Sequence, residues 1–343
     1  MTAPFRPVLL PMNRPAARPY RGGAAIERFR RQPLTDQDWV PEDFLASTVA
    51  TFGSSEVGLT KIGDVFLRDL IREDPIGFLG PDHAARFGAD PRLLCKLLNT
   101  GERLFVHAHP SAEFAARELH SATGKTEAWI ILDIDETGGS AWIGFTDGVA
   151  DEQLREWYYS QDSDAMLGAM NEVELHPGDT LFVPAGVPHA IGQGVLLLEL
   201  QEPADLSIIL EYAPFPRLAR DAGLLGMDVG TALAGIDRSS FAGERLADAV
   251  GAVPASGSGP LFPHAAGSFF RAEAVSVDAQ TTARWEPQFA ILVITEGSAV
   301  LESEAGHMDV AEGDVALIPH GAGDNRLTGD ARGFRCMPPE PEM

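Results

Sequence analysis

The hydrophobic positions of this chain change their spacing at about residue 100. Before it, residues 66–71 have helical spacing, and residues 92–98 form an apolar run short enough for a buried strand. After it, short apolar runs bounded by Gly and Pro predict five strands, at 127–133, 140–145, 179–183, 194–201 and 206–212. Residues 136–139 have turn composition, and we expect them to join the first two of these strands as a hairpin.

A helical insert interrupts the strands at about 150–171, where Leu154, Trp157, Met166 and Leu167 form a predicted apolar face. A Gly- and Ala-rich stretch, 213–260, has the composition of a linker or a long loop. Beyond it the strand pattern returns, at 272–277, 289–295, 299–302 and 314–318. Closely spaced short strands of this kind predict a sandwich or a small barrel.

One sequence pattern occurs twice. Residues 312–319, Glu-Gly-Asp-Val-Ala-Leu-Ile-Pro, repeat the shape of residues 176–184, His-Pro-Gly-Asp-Thr-Leu-Phe-Val-Pro. An internal repeat predicts two similar units, so we expect a mainly β protein with two barrels. The predicted domains are an N-terminal arm with helical and strand elements that pack on the first barrel (1–100), the first barrel with its insert (101–212), the linker or loop region (213–260) and the second barrel (261–343).

The composition is that of a globular protein. Of the 343 residues, 45% are hydrophobic and 22% are charged, and no apolar run is long enough to span a bilayer. The chain starts without the features of a signal peptide, so we expect a cytoplasmic protein that does not associate with membranes. Cys95 and Cys336 are too few for a disulfide framework. A net charge of −24 argues against a nucleic-acid partner, because phosphates would be repelled.

Residues 1–31 depart from this acidic character, because they contain seven arginines. The segment lacks the amphipathic pattern of a targeting peptide. We therefore interpret it as a structural arm that packs on the protein body.

Histidines occur in two spaced motifs that are typical of a metal site. The motifs are Gly101-x5-His107-x-His109 and Gly178-x5-Pro184-x-Gly186-x2-His189-x3-Gln193. Residues two apart in a strand point to the same side, so His107 and His109 present two imidazoles together, with His189 on a neighbouring strand. A carboxylate would complete a set of three nitrogens and one oxygen, which suits one divalent ion of Zn, Mn, Fe or Ni. The alternative is that these are ordinary core or surface histidines.

Longer segments around these motifs match a known pattern. They are 104–110 (Leu-Phe-Val-His-Ala-His-Pro), 124–132 (Gly-Lys-Thr-Glu-Ala-Trp-Ile-Ile-Leu), 177–192 (Pro-Gly-Asp-Thr-Leu-Phe-Val-Pro-Ala-Gly-Val-Pro-His-Ala-Ile-Gly) and 196–201 (Leu-Leu-Leu-Glu-Leu-Gln). In these segments the chain resembles the type I phosphomannose isomerases, which are zinc enzymes of the cupin superfamily. The resemblance implies a bicupin fold of two jelly-roll barrels. It also implies an intramolecular oxidoreductase that converts mannose 6-phosphate to fructose 6-phosphate, or a related sugar.

The resemblance further implies which residues form the site. Glu127, in the Gly-Lys-Thr-Glu segment, becomes the fourth metal ligand rather than Glu113, which general cupin spacing would offer. Zinc is the implied ion. Glu199 is implied as the general base that moves a proton between adjacent carbons. Lys125 is implied as a catalytic and substrate-binding group that orients a phosphate or a sugar hydroxyl.

The chain departs from the family at three positions of this site. His107 stands where the family usually has Gln, and Phe105 and Ile209 stand where it has a phosphate-contacting Ser and an Arg. Isoleucine cannot form the bidentate hydrogen bonds that an arginine forms with phosphate. The sequence leaves open whether Arg217 or Arg220 takes that place, and whether the sugar is phosphorylated.

We therefore expect a metal-dependent aldose–ketose isomerase whose partner is a small sugar or sugar phosphate. Two alternatives stay open: a sugar-binding or sensor protein that holds metal without turnover, and a different metal cupin enzyme such as an oxygenase. The second barrel has His307 and His320 but no matching His-x-His motif, so we expect it to be metal-free.

Overall fold

Strands make up most of the regular structure in the computed structural model, which describes residues 5–15, 18–35 and 37–341. The strands are β1 (Val8–Leu9), β2 (Glu42–Leu45), β3 (Lys61–Ile62), β4 (Val65–Phe66), β5 (Leu94–Asn99), β6 (His107–Ala108), β7 (Glu127–Ile134), β8 (Ser140–Phe145), β9 (Met170–Glu174), β10 (Asp179–Val183), β11 (His189–Ile191), β12 (Val195–Gln201), β13 (Ile208–Ile209), β14 (Val250–Ala252), β15 (Gly259–Pro260), β16 (Arg271–Val277), β17 (Ala283–Trp285), β18 (Ala290–Ser303), β19 (Gly306–Ala311), β20 (Val315–Ile318) and β21 (Asn325–Met337).

The helices are short, and none in the described part of the chain is long and apolar enough to cross a membrane. They are α1 (Ala24–Phe29), α2 (Leu67–Glu73), α3 (Pro75–Leu79), α4 (Pro81–Phe87), α5 (Ala112–Glu118), α6 (Asp151–Ser160), α7 (Ser163–Gly168), α8 (Val229–Leu233) and α9 (Glu244–Ala249), with 3₁₀ turns at Arg220–Leu224, His264–Ser268 and His320–Ala322. The predicted fold class, mainly β with a helical insert, is confirmed.

Two antiparallel sheets face each other in the first barrel. One has six strands in the order β14-β10-β7-β12-β5-β2, and the other has five in the order β13-β6-β11-β8-β9. Apolar side chains from the two inner faces meet between the sheets, among them Leu98, Trp129, Leu181, Leu197, Ile143 and Ile191. This is the face-to-face packing of a jelly roll.

Strands β5 and β12 of the six-stranded sheet are buried on both faces. In β12, Leu196, Leu198 and Leu200 point away from the barrel. Leu197 points into it, and the alternation of side chains places Glu199 on that same inner face. An apolar run in the sequence therefore carries one charged residue into the interior of the barrel.

The predicted hairpin between β7 and β8 is wrong. β7 lies in the six-stranded sheet between β10 and β12, whereas β8 lies in the five-stranded sheet between β11 and β9. Residues 135–139 thus cross from one sheet to the other. Hydrophobic periodicity tells which faces of a strand are buried, but a strand buried on both faces can pair with any apolar neighbour.

The second barrel is built on an eight-stranded sheet with the main order β1-β20-β18-β21-β16-β15. Its interior holds side chains such as Val275, Leu292, Leu301, Val310 and Leu327. The two strands predicted at 289–295 and 299–302 are one strand, β18. A register shift between Ile294 and Glu296, rather than a turn, accommodates the polar residues between them.

The two barrels share one hydrophobic core. It lies between the outer face of the six-stranded sheet and the eight-stranded sheet, and includes Cys95, Leu97, Ile130, Leu198, Phe289, Ile291, Val315, Phe334 and Cys336. The second barrel therefore packs against the outer face of the sheet that carries Glu127 and Glu199.

The N-terminal segment contacts both barrels. β1 pairs with β20, with Val8 opposite Leu317. Farther along, Arg18 forms ion pairs with Glu42 and Asp205 at the edge of the first barrel.

The helical insert covers the outer face of the five-stranded sheet. Leu154, Trp157 and Met166 of α6 and α7 are buried against residues such as Phe145 and Ala190. With this layer in place, both faces of the sheet that carries the histidines are shielded from water.

Leu198 tests the shared core, because its side chain is fully buried there. Leu198→Ala should lower the free energy of unfolding by about 2–5 kcal/mol, since it leaves a cavity between two sheets. Urea unfolding followed by circular dichroism measures this change. Leu34→Ala, at a residue that is 63% exposed, is the control and should change it by less than about 0.5 kcal/mol. Equal effects of the two changes would contradict a shared core.

Candidate active site

Three histidines lie together on the inner face of the five-stranded sheet. His107 on β6 is directly opposite His189 on β11, and His109 follows two residues later on the same side. Their ring centroids are 4.1 to 4.9 Å apart, and one nitrogen of each lies within 4.8 Å of the others. All three side chains are buried.

Each imidazole is oriented by a hydrogen bond between its Nδ1 and a backbone carbonyl. The acceptors are the carbonyls of Phe105 at 2.9 Å for His107, Leu206 at 2.8 Å for His109 and Val187 at 2.9 Å for His189. Because a carbonyl only accepts, Nδ1 carries the proton and Nε2 of the neutral ring keeps its lone pair. Such partners fix the orientation of metal-binding histidines.

Glu127 reaches the histidines from the facing sheet. Its Oε2 lies 3.0 Å from His109 Nε2, and its Oε1 lies 3.2 Å from His189 Nε2. The indole Nε1 of Trp129 donates a hydrogen bond of 3.0 Å to Oε1. The carboxylate is therefore held between the two sheets by a partner on its own strand.

The protonation states in this group suit a metal ion. Burial lowers the pKa of His107 well below its usual value and lowers the pKa of His109 to about 3. For Glu127 burial acts in the opposite direction, but Lys125 and the histidines outweigh it and hold its pKa well below the usual value. Neutral imidazoles and an ionised carboxylate are the forms that bind metals.

The buried Nε2 of His189 is also available to bind a metal ion. Within the described residues His189 Nε2 makes no hydrogen bond, because the atom 3.2 Å away, Glu127 Oε1, is an acceptor like the unprotonated Nε2 itself. A buried polar atom without a partner is costly, and a metal ion would satisfy it. The clustered His107, His109 and His189 confirm the prediction of a centre for one divalent metal.

Glu113, which general cupin spacing offers as a ligand, lies elsewhere. It belongs to α5, its side chain is 91% exposed, and its carboxylate lies 3.9 Å from Arg117. Glu127 is thus the carboxylate that the fold brings to the histidines.

A close approach of two backbone segments positions Lys125. A Cβ at Gly124 would lie 2.5 Å from the amide nitrogen of Ala112 and 2.7 Å from the carbonyl oxygen of Pro110, so only glycine fits there. As a result, Lys125 Nζ lies 2.9 Å from Glu127 Oε2 and 2.8 Å from His109 Nε2. The ammonium group is therefore in contact with the metal-site residues.

Glu199 faces the same interior from the centre of the six-stranded sheet. It is directly opposite Lys96 on β5 and Trp129 on β7. Its Oε2 is buried, lies 3.2 Å from Lys96 Nζ and makes no hydrogen bond within the described part of the chain. Burial raises the pKa of this carboxyl, Lys96 opposes that shift, and the nearby Glu127 adds to it.

An ionic network beside Glu199 was not anticipated from the sequence motifs. Lys96 Nζ also lies 4.0 Å from Glu42 and 3.9 Å from Asp205. Arg18 binds both of those carboxylates, and Tyr20 donates a 2.7 Å hydrogen bond to Glu42. One signal was available in the sequence, because Lys96 stands alone in the apolar run 93–98. A buried charge is tolerated only when it is paired.

A cavity of about 250 Å³ is lined by part of this group, namely Arg18, Tyr20, Glu42, Lys96, His107, Lys125, Glu127, Glu199 and Asp205. His109 and His189 are not among its lining residues. The cavity wall also includes Phe105 and Ile209, which stand at the two positions where a family phosphate contact was expected. Neither Arg217 nor Arg220 is among the lining residues. Their guanidinium groups lie over aromatic rings instead, Arg217 at 3.7 Å from the ring centroid of Trp39 and Arg220 over Tyr158, Tyr159 and Tyr212.

Comparison with known proteins finds similarity to mannose-6-phosphate isomerases, and the family-model match lies in the second barrel rather than at this site. The model of the mannose-6-phosphate isomerase cupin domain matches residues 262–338. A mannose-6-phosphate isomerase of Streptococcus mutans is 33% identical over 135 residues, which are 38% of this chain and 41% of that protein. Mannose-6-phosphate isomerase ManA of Bacillus subtilis is 25% identical over 245 residues, 70% of this chain and 72% of the relative. The first match thus spans less than half of its relative.

The fold is similar over nearly the whole chain. A crystal structure of a zinc-bound mannose 6-phosphate isomerase superposes with a TM-score of 0.72 at 18% identity, and the match covers 97% of this chain and 100% of the other. At this identity the likeness establishes the fold alone.

Trp129 provides a test of how the metal site is held together. Trp129→Phe removes the hydrogen bond to Glu127 but keeps an aromatic ring, so metal affinity should fall about 10–100-fold. Competition with a chromophoric chelator measures it. Trp142→Phe is the control, because Trp142 packs with the cluster outside the barrel. His189→Ala should abolish binding. Unchanged affinity of Trp129→Phe would show that the indole does not orient the carboxylate.

Proposed function

We propose that this chain is a member of the type I phosphomannose isomerase family of bicupins, and that it is a metal-dependent isomerase that interconverts the aldose and ketose forms of a small sugar. One observation carries the proposal: His107, Glu127, Lys125 and Glu199 line the same cavity. Aldose–ketose isomerisation needs a centre that polarises oxygen atoms and a base that moves a proton beside it.

We assign the metal ion to His107, His109, Glu127 and His189, with zinc as the favoured ion. Three imidazole nitrogens and one carboxylate oxygen form a donor set that zinc accepts and that Mn, Fe and Ni also tolerate. The zinc-bound relative supports this choice. When bound, the ion polarises the carbonyl and hydroxyl oxygens of a sugar and so acidifies the proton on the adjacent carbon.

We assign the general base to Glu199. Its buried Oε2 has no hydrogen bond, and the carboxylate is part of the cavity wall. Its pKa is raised by burial, which makes it a stronger proton acceptor than an exposed carboxylate. Lys96 keeps the ionised form accessible, because its own pKa is raised by Glu199 and its acidic neighbours despite burial, so that it stays charged.

The proton transfer involves two adjacent carbons of the sugar. Glu199 takes the proton from C2 of the aldose and returns it to C1, while the carbonyl and hydroxyl exchange places through an enediol. Lys125, which contacts Glu127, donates a hydrogen bond to a sugar hydroxyl and orients the chain of carbon atoms. The buried position of these groups keeps water from competing for the proton.

Glu199→Gln is the direct test of the base. It keeps the shape of the side chain but removes the proton acceptor, so turnover should fall about 10²–10⁴-fold while the metal content stays unchanged. Turnover is measured by sugar conversion in D₂O, where the wild type should place deuterium on the carbon next to the product carbonyl. Glu174→Gln, on a side chain that is 83% exposed, is the matched control.

Two results would change this assignment. Loss of metal in Glu199→Gln would make Glu199 a structural residue or a ligand. Metal-loaded wild type that isomerises no hexose or pentose would instead favour the sensor alternative, in which the site binds sugar without turnover.

The pH profile provides a second test of Glu199. The base must be ionised to accept a proton, so kcat/KM should fall as the pH is lowered through the pKa of Glu199. Because burial raises that pKa, the fall should begin at a higher pH than for an exposed carboxylate. Lys96 lowers the pKa, so Lys96→Gln should move the fall to a still higher pH. A profile that stays flat until the protein unfolds would rule out this base.

A further inference from the structure

The cations that line the cavity are already paired. Among the described lining residues they are Arg18, Lys96 and Lys125. Arg18 places Nη1 and Nη2 at 3.1 Å from the two oxygens of Asp205 and directs Nε at Glu42. All three nitrogens of the guanidinium, the group that forms bidentate hydrogen bonds to phosphate, thus already contact carboxylates.

Both lysines also form ion pairs with carboxylates. Lys96 Nζ lies 3.2 Å from Glu199, 3.9 Å from Asp205 and 4.0 Å from Glu42. Lys125 lies 2.9 Å from Glu127. Within the described lining, four carboxylates therefore face three cations, so the cavity offers no surplus positive charge except what a divalent ion brings.

The wall next to the histidines is apolar. Ile209 on β13 is directly opposite His107 on β6, and Phe105 precedes His107 by two residues, so the three side chains share one face. The Phe105 ring packs against His107 with its centroid 5.1 Å away, and also against Tyr20 and Phe215. Phe105 and Ile209 are 5% and 7% exposed.

We infer that the substrate of this site is an unphosphorylated monosaccharide, whose hydroxyl groups bond the paired charges while its carbon skeleton lies against Phe105 and Ile209. This inference rests on the proposed isomerase function and narrows its substrate class. Hydroxyl groups can donate to the carboxylates and accept from the lysines without breaking an ion pair. The C–H faces of a sugar suit the aromatic and aliphatic wall.

A sugar phosphate fits this cavity poorly. Its dianion would have to displace Asp205 from Arg18, which breaks a bidentate ion pair and leaves Asp205 with Lys96 at 3.9 Å and the backbone N–H of Phe52, or lose its hydration against Phe105 and Ile209. The first route breaks an ion pair and the second desolvates a charge beside apolar side chains, and both are costly.

Binding separates the two substrate classes without relying on turnover. Isothermal titration calorimetry on the metal-loaded Glu199→Gln protein compares mannose, fructose, glucose and xylose with mannose 6-phosphate, fructose 6-phosphate and glucose 6-phosphate. We expect at least one free sugar to bind about 10-fold more tightly than any of the phosphate esters. Tighter binding of a phosphate ester, or no binding of any free sugar, would overturn the inference.

Substitutions at Ile209 test the cause of the preference. Ile209→Arg adds a free guanidinium to the wall and should tighten the binding of mannose 6-phosphate and of inorganic phosphate about 10–100-fold. Ile209→Gln is the matched control, because it adds polarity and length without charge, and it should leave phosphate binding weak. Equal gains from both changes would show that charge at this position does not decide the substrate class.

The outcomes also separate this inference from the proposed function. Efficient wild-type turnover of mannose 6-phosphate, with less turnover of the free sugars, would overturn the inference and leave the isomerase function intact. Failure of wild type to isomerise any of the sugars would overturn the function, whereas the calorimetry would still report which class the cavity binds.

Discussion

Lys96 and Glu199, on neighbouring strands of the six-stranded sheet, place a lysine and a glutamate 3.2 Å apart in the buried interior of the first barrel. Neither could be ionised there alone, because removing a charge from water costs several kcal/mol. Their pairing explains why two strands with apolar residues on both faces each carry one charge at the same register position. It also explains why Glu42, Asp205 and Arg18 gather beside them, since each added charge needs its own counter-charge.

The two sheets of the first barrel contribute different chemistry. The five-stranded sheet supplies the imidazoles, each oriented by a carbonyl of its own or an adjoining segment. The six-stranded sheet supplies the carboxylates Glu127 and Glu199. The residues proposed to bind metal and the residue proposed as the base meet where the two sheets face each other. The second barrel contributes by packing on the outer face of the six-stranded sheet.

The sequence predicted the strands that have short and nearly continuous apolar runs, such as β7, β10 and β12, because such runs follow directly from burial. It did not predict β21, in which apolar residues alternate with Gly, Asp and Arg. It did predict the histidine group, since His107 and His109 are local neighbours on one side of a strand. The predicted hairpin between β7 and β8 was wrong, because the pairing of two strands depends on whether the chain between them stays in one sheet or crosses to the other. The roles of Arg18, Glu42 and Asp205 were missed because they lie far apart in sequence, although the single lysine in the run 93–98 could have signalled a buried partner.

The pairing of β1 with β20 joins segments that lie far apart in the sequence. The N-terminal strand leaves the ribosome long before β20, the strand that receives it, has been made. Arg18, in the same N-terminal segment, is one of the residues that line the cavity. Its partner Asp205 leaves the ribosome well before β20 does. The contacts that line the cavity can thus form while the second barrel is still being synthesised. The pairing of β1 with β20 can form only later and completes the sheet of the second barrel.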